Sequence, residues 1–312
     1  MGSPVGWVED EAARAEALKR VIAVVNEKGG VGKTSITGNL AGQAASAGYR
    51  VLVVDLNRQA NLAQDLGYRH KPEVDDEGAG LLTAIMTGQP MTPVKGIREN
   101  LDVIPGGTQL ENLTGVMLTR IQNHGETAFL SLAKVLAQTA TEYDLVIIDC
   151  PPENTILDDL ALGAARWVLI PTKSDDGGVE GMRLVAQRFV KARKINPSIG
   201  LLGVVLFATG TTSTQIHAQV REKVAAAFGG QSPMFQTLIR HSERVAVDSR
   251  KGRLAHELEQ AAKDQPQWWQ ALREGKRIER ISPTAASVSS DYQALAVEVL
   301  SVLAAAEQEA AV

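Results

Sequence analysis

Short apolar runs alternate along the chain with longer stretches of helical period. Val21–Val25, Val51–Asp55, Leu101–Ile104, Leu145–Asp149, Trp167–Ile170, Leu201–Phe207 and Phe235–Ile239 are rich in β-branched residues and short enough for strands buried on both faces. Between most of them the apolar positions recur every three or four residues. Met182, Val185, Ala186, Phe189 and Val190 form such a stripe within Gly178–Lys194, and Thr34–Ala47 reads as a helix stopped by Gly48. Strands alternating with helices predict βαβ units: an α/β fold with a mainly parallel twisted sheet flanked by helices on both faces. Gly67–Gly80 reads as a polar loop. Glu257–Ser290, charged and carrying Trp268-Trp269, interrupts the pattern before a final helix expected from about Ser290.

Composition narrows the class. The chain has 312 residues, 44% apolar, 22% charged and 4% aromatic, which fits an ordinary globular protein. No Pro/Ser/Gly-rich linker divides it, so residues 1–20 are expected to be an N-terminal extension and 21–312 a single domain with an insert at about 257–290. The one cysteine, Cys150, excludes an internal disulfide and a cysteine-based zinc site, and points to a reducing, cytoplasmic setting. Cys150 reads as a small packed residue. The five histidines have no close ligand spacing, so no metal beyond Mg²⁺ is expected. The net charge is −4, yet Glu180–Arg253 holds twelve Lys and Arg against four Asp and Glu. Such an excess marks a surface for a polyanion or a solvated basic face.

The sharpest chemistry lies at Lys28-Gly29-Gly30-Val31-Gly32-Lys33-Thr34-Ser35, which directly follows a strand and opens a helix. Glycines there let backbone N–H groups converge on phosphate oxygens, and the helix N-terminus adds partial positive charge. Lys33 is placed to reach the β- and γ-phosphates, the Thr34 hydroxyl to ligate Mg²⁺ and Ser35 to donate to phosphate. Asp149 and Asp55 each end an apolar strand, so both carboxylates emerge at the sheet edge where ligands bind in open α/β sheets. Both are candidate Mg²⁺ anchors. The strict GxxxxGK(S/T) pattern fails, because Glu27 stands where its first glycine belongs.

These residues resemble the deviant Walker A loop of the ParA/MinD family of P-loop ATPases. Val51–Gly67 is similar to that family's second motif, and Tyr143–Pro152 resembles its Walker B strand. Further likeness runs through Leu101–Gly107, Val168–Pro171 with Glu180-Gly181, and Asn196-Pro197 with Leu202-Gly203, closest to ParA-type partition proteins. The resemblance implies ATP and Mg²⁺ as cofactors and an ATP-dependent homodimer with two nucleotides at its interface. Lys28 matches the signature lysine that acts on the partner subunit's phosphates. It also implies non-specific DNA binding, a ParB-like adaptor, and a cytoplasmic, nucleoid-associated protein that positions a plasmid, chromosome region or other cargo.

Two departures qualify what the resemblance implies. The family carries Asp-x-Asp after its second strand, whereas Asp55 is followed here by Leu56 and Asn57. Asparagine orients a water but cannot take its proton, so hydrolysis is expected to be slow. The family's DNA-gripping arginines fall at Arg244 and at Thr211, and only the first is retained. Arg240, Arg250, Lys251 and Arg253 are the neighbouring candidates, with Arg188, Lys191 and Lys194 as a second basic face. Two alternatives stay open: a hydrolysis-poor ATP-switched DNA-binding module, and a cargo scaffold with no DNA site. Val297–Val312 lacks the basic amphipathic character of a membrane-binding helix, so no membrane partner is expected. Trp268-Trp269 reads either as a docking anchor or as a pair folded back on the domain.

Overall fold

The computed structural model describes residues 11–210, 213–230, 232–265, 273 and 281–310. Thr211 and Trp268-Trp269 lie outside the described residues. Eight strands form one sheet: β1 (Val21–Val24), β2 (Val51–Asp55), β3 (Val94–Arg98), β4 (Leu101–Ile104), β5 (Leu145–Asp149), β6 (Trp167–Thr172), β7 (Gly200–Thr209) and β8 (Met234–Arg240). Their spatial order is β3-β4-β2-β5-β1-β6-β7-β8. Every pairing is parallel except β3 with β4.

The strands are apolar throughout because their alternate side chains enter two different cores. On one face Ile22, Val24, Val51, Val53, Leu145 and Ile147 join Ile36, Leu40, Leu254, Tyr292 and Leu295. On the other, Val21, Ala23, Leu52, Val54, Val146 and Ile148 join Leu113, Leu132, Leu157, Met182 and Val185. The helices that supply these layers are α1 (Glu11–Ala17), α2 (Lys33–Ser46), α3 (Asn61–Asp65), α4 (Ala79–Thr87), α5 (Leu110–His124), α6 (Ser131–Ala140), α7 (Thr155–Ala164), α8 (Asp176–Ala192), α9 (Thr214–Ala227), α10 (Glu243–Ser249), α11 (Ala255–Lys263) and α12 (Ala285–Ala310). Covering both faces is what permits a parallel sheet.

The structure departs from the pattern reading at three places. Strand β3 is absent from the pattern reading, because Lys95 and Gly96, the latter at φ +70°, break its alternation and it pairs only at the sheet edge. Within 257–290, the segment opens inside helix α11: Glu257 Oε2 accepts the Leu254 N–H at 2.7 Å, and Leu254 and Leu258 are buried against α2 and α12. The final helix starts at Ala285 and not near Ser290. Ser282-Pro283 is the start signal, with Ser282 Oγ accepting the Thr284 N–H at 3.3 Å.

Candidate nucleotide site

Strand register brings the site together. Asp55 and Asp149 are paired residues on adjacent strands, and Asp149 also lies beside Val24, two residues before the phosphate loop begins at Asn26. The loop turns into α2 at Gly32, which has φ +91° and caps the helix; a Cβ there would stand 2.5 Å from the Phe207 ring. The backbone N–H groups of Lys33, Thr34 and Ser35 therefore open a 14-residue helix whose first turn lies beside Asp149.

Each predicted group takes a defined place. The Thr34 hydroxyl donates to Asp149 Oδ2 at 2.8 Å, and the Thr37 hydroxyl to Oδ1 at 3.4 Å. Lys33 is buried, and its ammonium donates to the carbonyl oxygens of Asn26 at 2.7 Å and Lys28 at 3.1 Å. Burial lowers its pKa, opposed by the charges of Asp149 and Asp158. Gly29, Gly30 and Lys28 are exposed at the loop's crest, and Val31 is buried beneath it. The Lys28 side chain runs along the first turns of α8, its Nζ 3.0 Å from where a Cβ on Gly177 would stand.

The two carboxylates fit a divalent cation. Both Asp55 and Asp149 are fully buried. Burial, and then the charge of Asp149, push the Asp55 carboxyl well above the usual range, while burial pushes Asp149 up to about 7 against the pull of Thr34 and Lys33. Asp55 Oδ1 accepts the Asn57 N–H at 2.8 Å, but Oδ2 is buried with no protein partner. A Mg²⁺ ion held by Thr34 and, directly or through water, by Asp55 and Asp149 would relieve both the repulsion and the orphaned oxygen, and would supply positive charge for a bound phosphate. Asn57 is 4% exposed, and its Oδ1 accepts the Gln59 N–H at 2.9 Å. That oxygen is thus engaged in a local turn.

A cleft of about 740 Å³ runs from this edge across the sheet. Gly30, Gly32 to Ser35, Asn57, Lys173 and Phe207 line it on the loop side, and His241, Ser242, Val245, Val288 and Tyr292 complete its wall. Its size and its mixed polar and apolar lining suit a nucleotide. The far wall was not legible in the sequence, because α10 and α12 reach it only through tertiary packing. Asp65 lies there too, and burial pushes its carboxyl up to about 6 while Arg250 opposes the shift.

The basic candidates divide into two groups. Arg244, Arg250, Lys251 and Arg253 are placed on and just after α10, with Lys251 3.2 Å from Asp248. Arg240 differs from expectation, because it ends β8 and its guanidinium makes two 2.7 Å bonds to Asp291 of α12. That pair ties the edge strand to the last helix, so Arg240 is engaged within the fold and stands apart from the cluster on and after α10. Arg188 is likewise no part of a solvated face: it binds Glu27 and Asp159 and is 20% exposed. Lys191 lies 3.2 Å from Glu126.

Loop, strand ends and cleft together define a P-loop nucleoside-triphosphate-binding fold. The AAA domain family matches residues 19–201. A relative, "Chromosome-partitioning ATPase Soj" of Treponema pallidum, is 33% identical over 223 residues, covering 71% of this chain and 83% of that protein. Among solved structures, an ATP complex of McdA from Cyanothece superposes with a TM-score of 0.63 at 22% identity, covering 84% of this chain and 98% of that one. MinD of Pyrococcus horikoshii, complexed with Mg-ADP, superposes with a TM-score of 0.61 at 20% identity over 90% and 95% of the two chains. The chain belongs to the ParA/MinD family of P-loop ATPases. Among the described residues no helix is long and apolar enough to cross a membrane.

One buried carboxyl beside the site has no assigned task. Asp158 on α7 is fully buried, and neither of its side-chain oxygens has a hydrogen-bond partner. Burial pushes it up to about 8, with Lys33 and Arg188 pulling it down and Glu27 and Asp159 pushing it further up. The folded chain therefore keeps a proton that the unfolded carboxyl, near 3.8, releases. The stability linked to that proton is fully present below the unfolded value and is lost as pH rises toward the folded one. Asp158→Asn cannot ionise, so thermal unfolding from pH 5 to 9 should show the variant gaining on wild type as pH rises, by several degrees (~5 °C) at pH 8. A constant difference across that range would show that Asp158 does not titrate there.

Proposed function

We propose that this chain is a ParA-like partition ATPase. It binds ATP with Mg²⁺, closes into a homodimer over two nucleotides, holds DNA without sequence preference, and positions a plasmid, chromosome region or other cargo through a ParB-like adaptor in the cytoplasm and on the nucleoid. One observation carries the reading: paired strand-end carboxylates, one with a buried unpartnered oxygen, beside a glycine-rich loop that opens a helix. The partitioning relative supports the cellular role.

In this reading Lys33 and the amides of Lys33 to Ser35 take the β- and γ-phosphates, with the amides of Lys28 to Gly32 forming the rest of the cradle. Thr34 is the direct Mg²⁺ ligand and Asp149 and Asp55 its second anchors. Lys28, exposed at the crest, acts in trans, neutralising the partner's phosphates as they separate. Asn57 orients the attacking water. A hydrolysis-poor switch is the second reading, favoured by Asn57, whose side-chain oxygen is already bonded to the Gln59 N–H.

Lys28→Ala should leave ATP affinity in the monomer within about threefold, since the side chain acts on the other subunit's nucleotide, but should abolish ATP-dependent dimerisation read by light scattering. A variant that dimerises with ATP as wild type does would exclude the trans role. Asn57→Asp keeps the turn with one carboxylate oxygen and offers the second to water. Its single-turnover hydrolysis rate should rise, by about 10²-fold where proton removal limits the step. An unchanged rate would favour the switch.

The DNA contact is proposed for Arg244, Arg250, Lys251 and Arg253, the cations that follow β8. Arg244→Glu with Arg253→Glu should weaken binding to every duplex alike and flatten the dependence of log affinity on log salt by about 0.9 for each phosphate that is no longer neutralised. Wild-type protein with ATP that binds no duplex at low salt would favour the scaffold without a DNA site.

A further inference from the structure

The first turn of the phosphate loop is held from three sides, and the holding residues form no part of the nucleotide motif. Asn26 Nδ2 donates to the Pro171 carbonyl at the end of β6 at 2.7 Å, while its Oδ1 accepts the Lys28 N–H at 2.9 Å. Gly181 of α8 makes room for this turn. A Cβ there would lie 2.3 Å from Asn26 Oδ1 and 3.1 Å from Lys28 Cβ. Between the two, the Glu27 carboxylate turns toward α8 and meets Arg188. The Arg188 Nε donates to Glu27 Oε1, and its Nη1 donates to Asp159 Oδ1 at 2.8 Å and to the Thr155 carbonyl at 3.3 Å, both on α7. Glu27, Arg188 and Asp159 are 20%, 20% and 15% exposed, so the network is largely withdrawn from solvent.

This arrangement acts on the ammonium that meets the phosphates. Lys33 Nζ donates to the carbonyls of Asn26 and Lys28, the residues on either side of Glu27. Wherever the Glu27 turn stands, those two oxygens stand with it, and they fix the place of the Lys33 ammonium. The planar guanidinium holds its donors in fixed, diverging directions, with Nε on the loop carboxylate and Nη1 on α7, whereas an ammonium would have to reach both from one nitrogen on a flexible stem. A half-buried ion network adds little net stability but is well suited to specifying a geometry.

We propose that Arg188 is a positioning residue: through Glu27 it clamps the leading edge of the phosphate loop, residues 26–28, against α7 and α8, so that Lys33 is in place before nucleotide arrives. The affinity consequence rests on the reading of this loop as a nucleotide site; the clamping itself does not. Holding the loop in its binding shape removes an ordering cost that nucleotide binding would otherwise bear.

Two measurements on the full chain test it. In nucleotide-free protein, hydrogen exchange of the amides of residues 27–33 should be about 5- to 30-fold faster in Arg188→Gln than in wild type, with α8 still protected. Titration with a fluorescent ADP analogue should show a similar fold loss of affinity, smaller in Arg188→Lys, which keeps the charge. Glu27→Gln should reproduce the loss, and the double variant should be no worse than either single one, since both break the same ion pair. A purely structural Arg188 would lower the melting temperature while leaving loop exchange and ADP affinity within about twofold of wild type, and that result overturns the proposal. Additive losses in the double variant also overturn it, because the effect would not pass through Glu27. Should Arg188→Gln not fold, Arg188→Lys and Glu27→Gln give the same two readouts. Wild-type protein that binds no ADP would remove the nucleotide reading alone, and exchange of the free loop would still decide the clamp.

Discussion

Two acids, Asp55 and Asp149, sit fully buried at neighbouring strand ends, and this like-charge pair sets the terms for everything around it. Burying one carboxylate is costly and burying two side by side more so, unless donors or a cation meet them. The chain answers Asp149 with two hydroxyls and a nearby ammonium, but answers Asp55 with a single backbone N–H. The pair is therefore under-neutralised by protein alone. Parallel strand order compounds the effect, because β2, β5 and β1 all end on the same edge and deliver their polar termini to one place. A fold that gathers negative charge in this way is built to be completed by a positive ion.

Behind the loop the charges are balanced just as closely. Lys33 stands among Asp149 and Asp158 and is held by backbone carbonyls, while Arg188 is shared between Glu27 and Asp159. The two basic groups are thus bound to different parts of the framework, one to the loop's own backbone and one to the helices that flank it. Asp158 stands between them with no hydrogen-bond partner. Such partial satisfaction is costly to folding and is retained at functional sites, where charge must respond to a ligand.

What could be read from the sequence was whatever is written locally. The strand before Asn26, the glycine turn at Gly32 and the helix opening at Lys33 are contiguous, and Asp55 and Asp149 each terminate an apolar run, so fold class and the phosphate end of the cleft followed from pattern alone. The remainder depends on pairs far apart in the chain. Arg188 and Glu27 are 161 residues apart, and Arg240 and Asp291 are 51 apart. In the sequence each arginine is simply one more cation in a basic stretch, and only the folded chain reveals the acid that engages it. Strand β3 escaped for a different reason, since a charged residue and a glycine at its centre conceal an edge pairing that needs no alternation. Helix α12 carried a legible start at Ser282-Pro283, overshadowed by the charged segment before it.

The far wall of the cleft comes from the end of the chain, where Val288 and Tyr292 of α12 face a loop made near its beginning. On the ribosome these halves are born apart. At the usual 5–20 residues per second, Tyr292 follows Lys33 by on the order of 10 to 50 seconds. Throughout that interval the phosphate loop exists without the opposite wall of its cleft. The cleft is thereby complete only once α12 has emerged and packed, so its two walls never stand together earlier in synthesis.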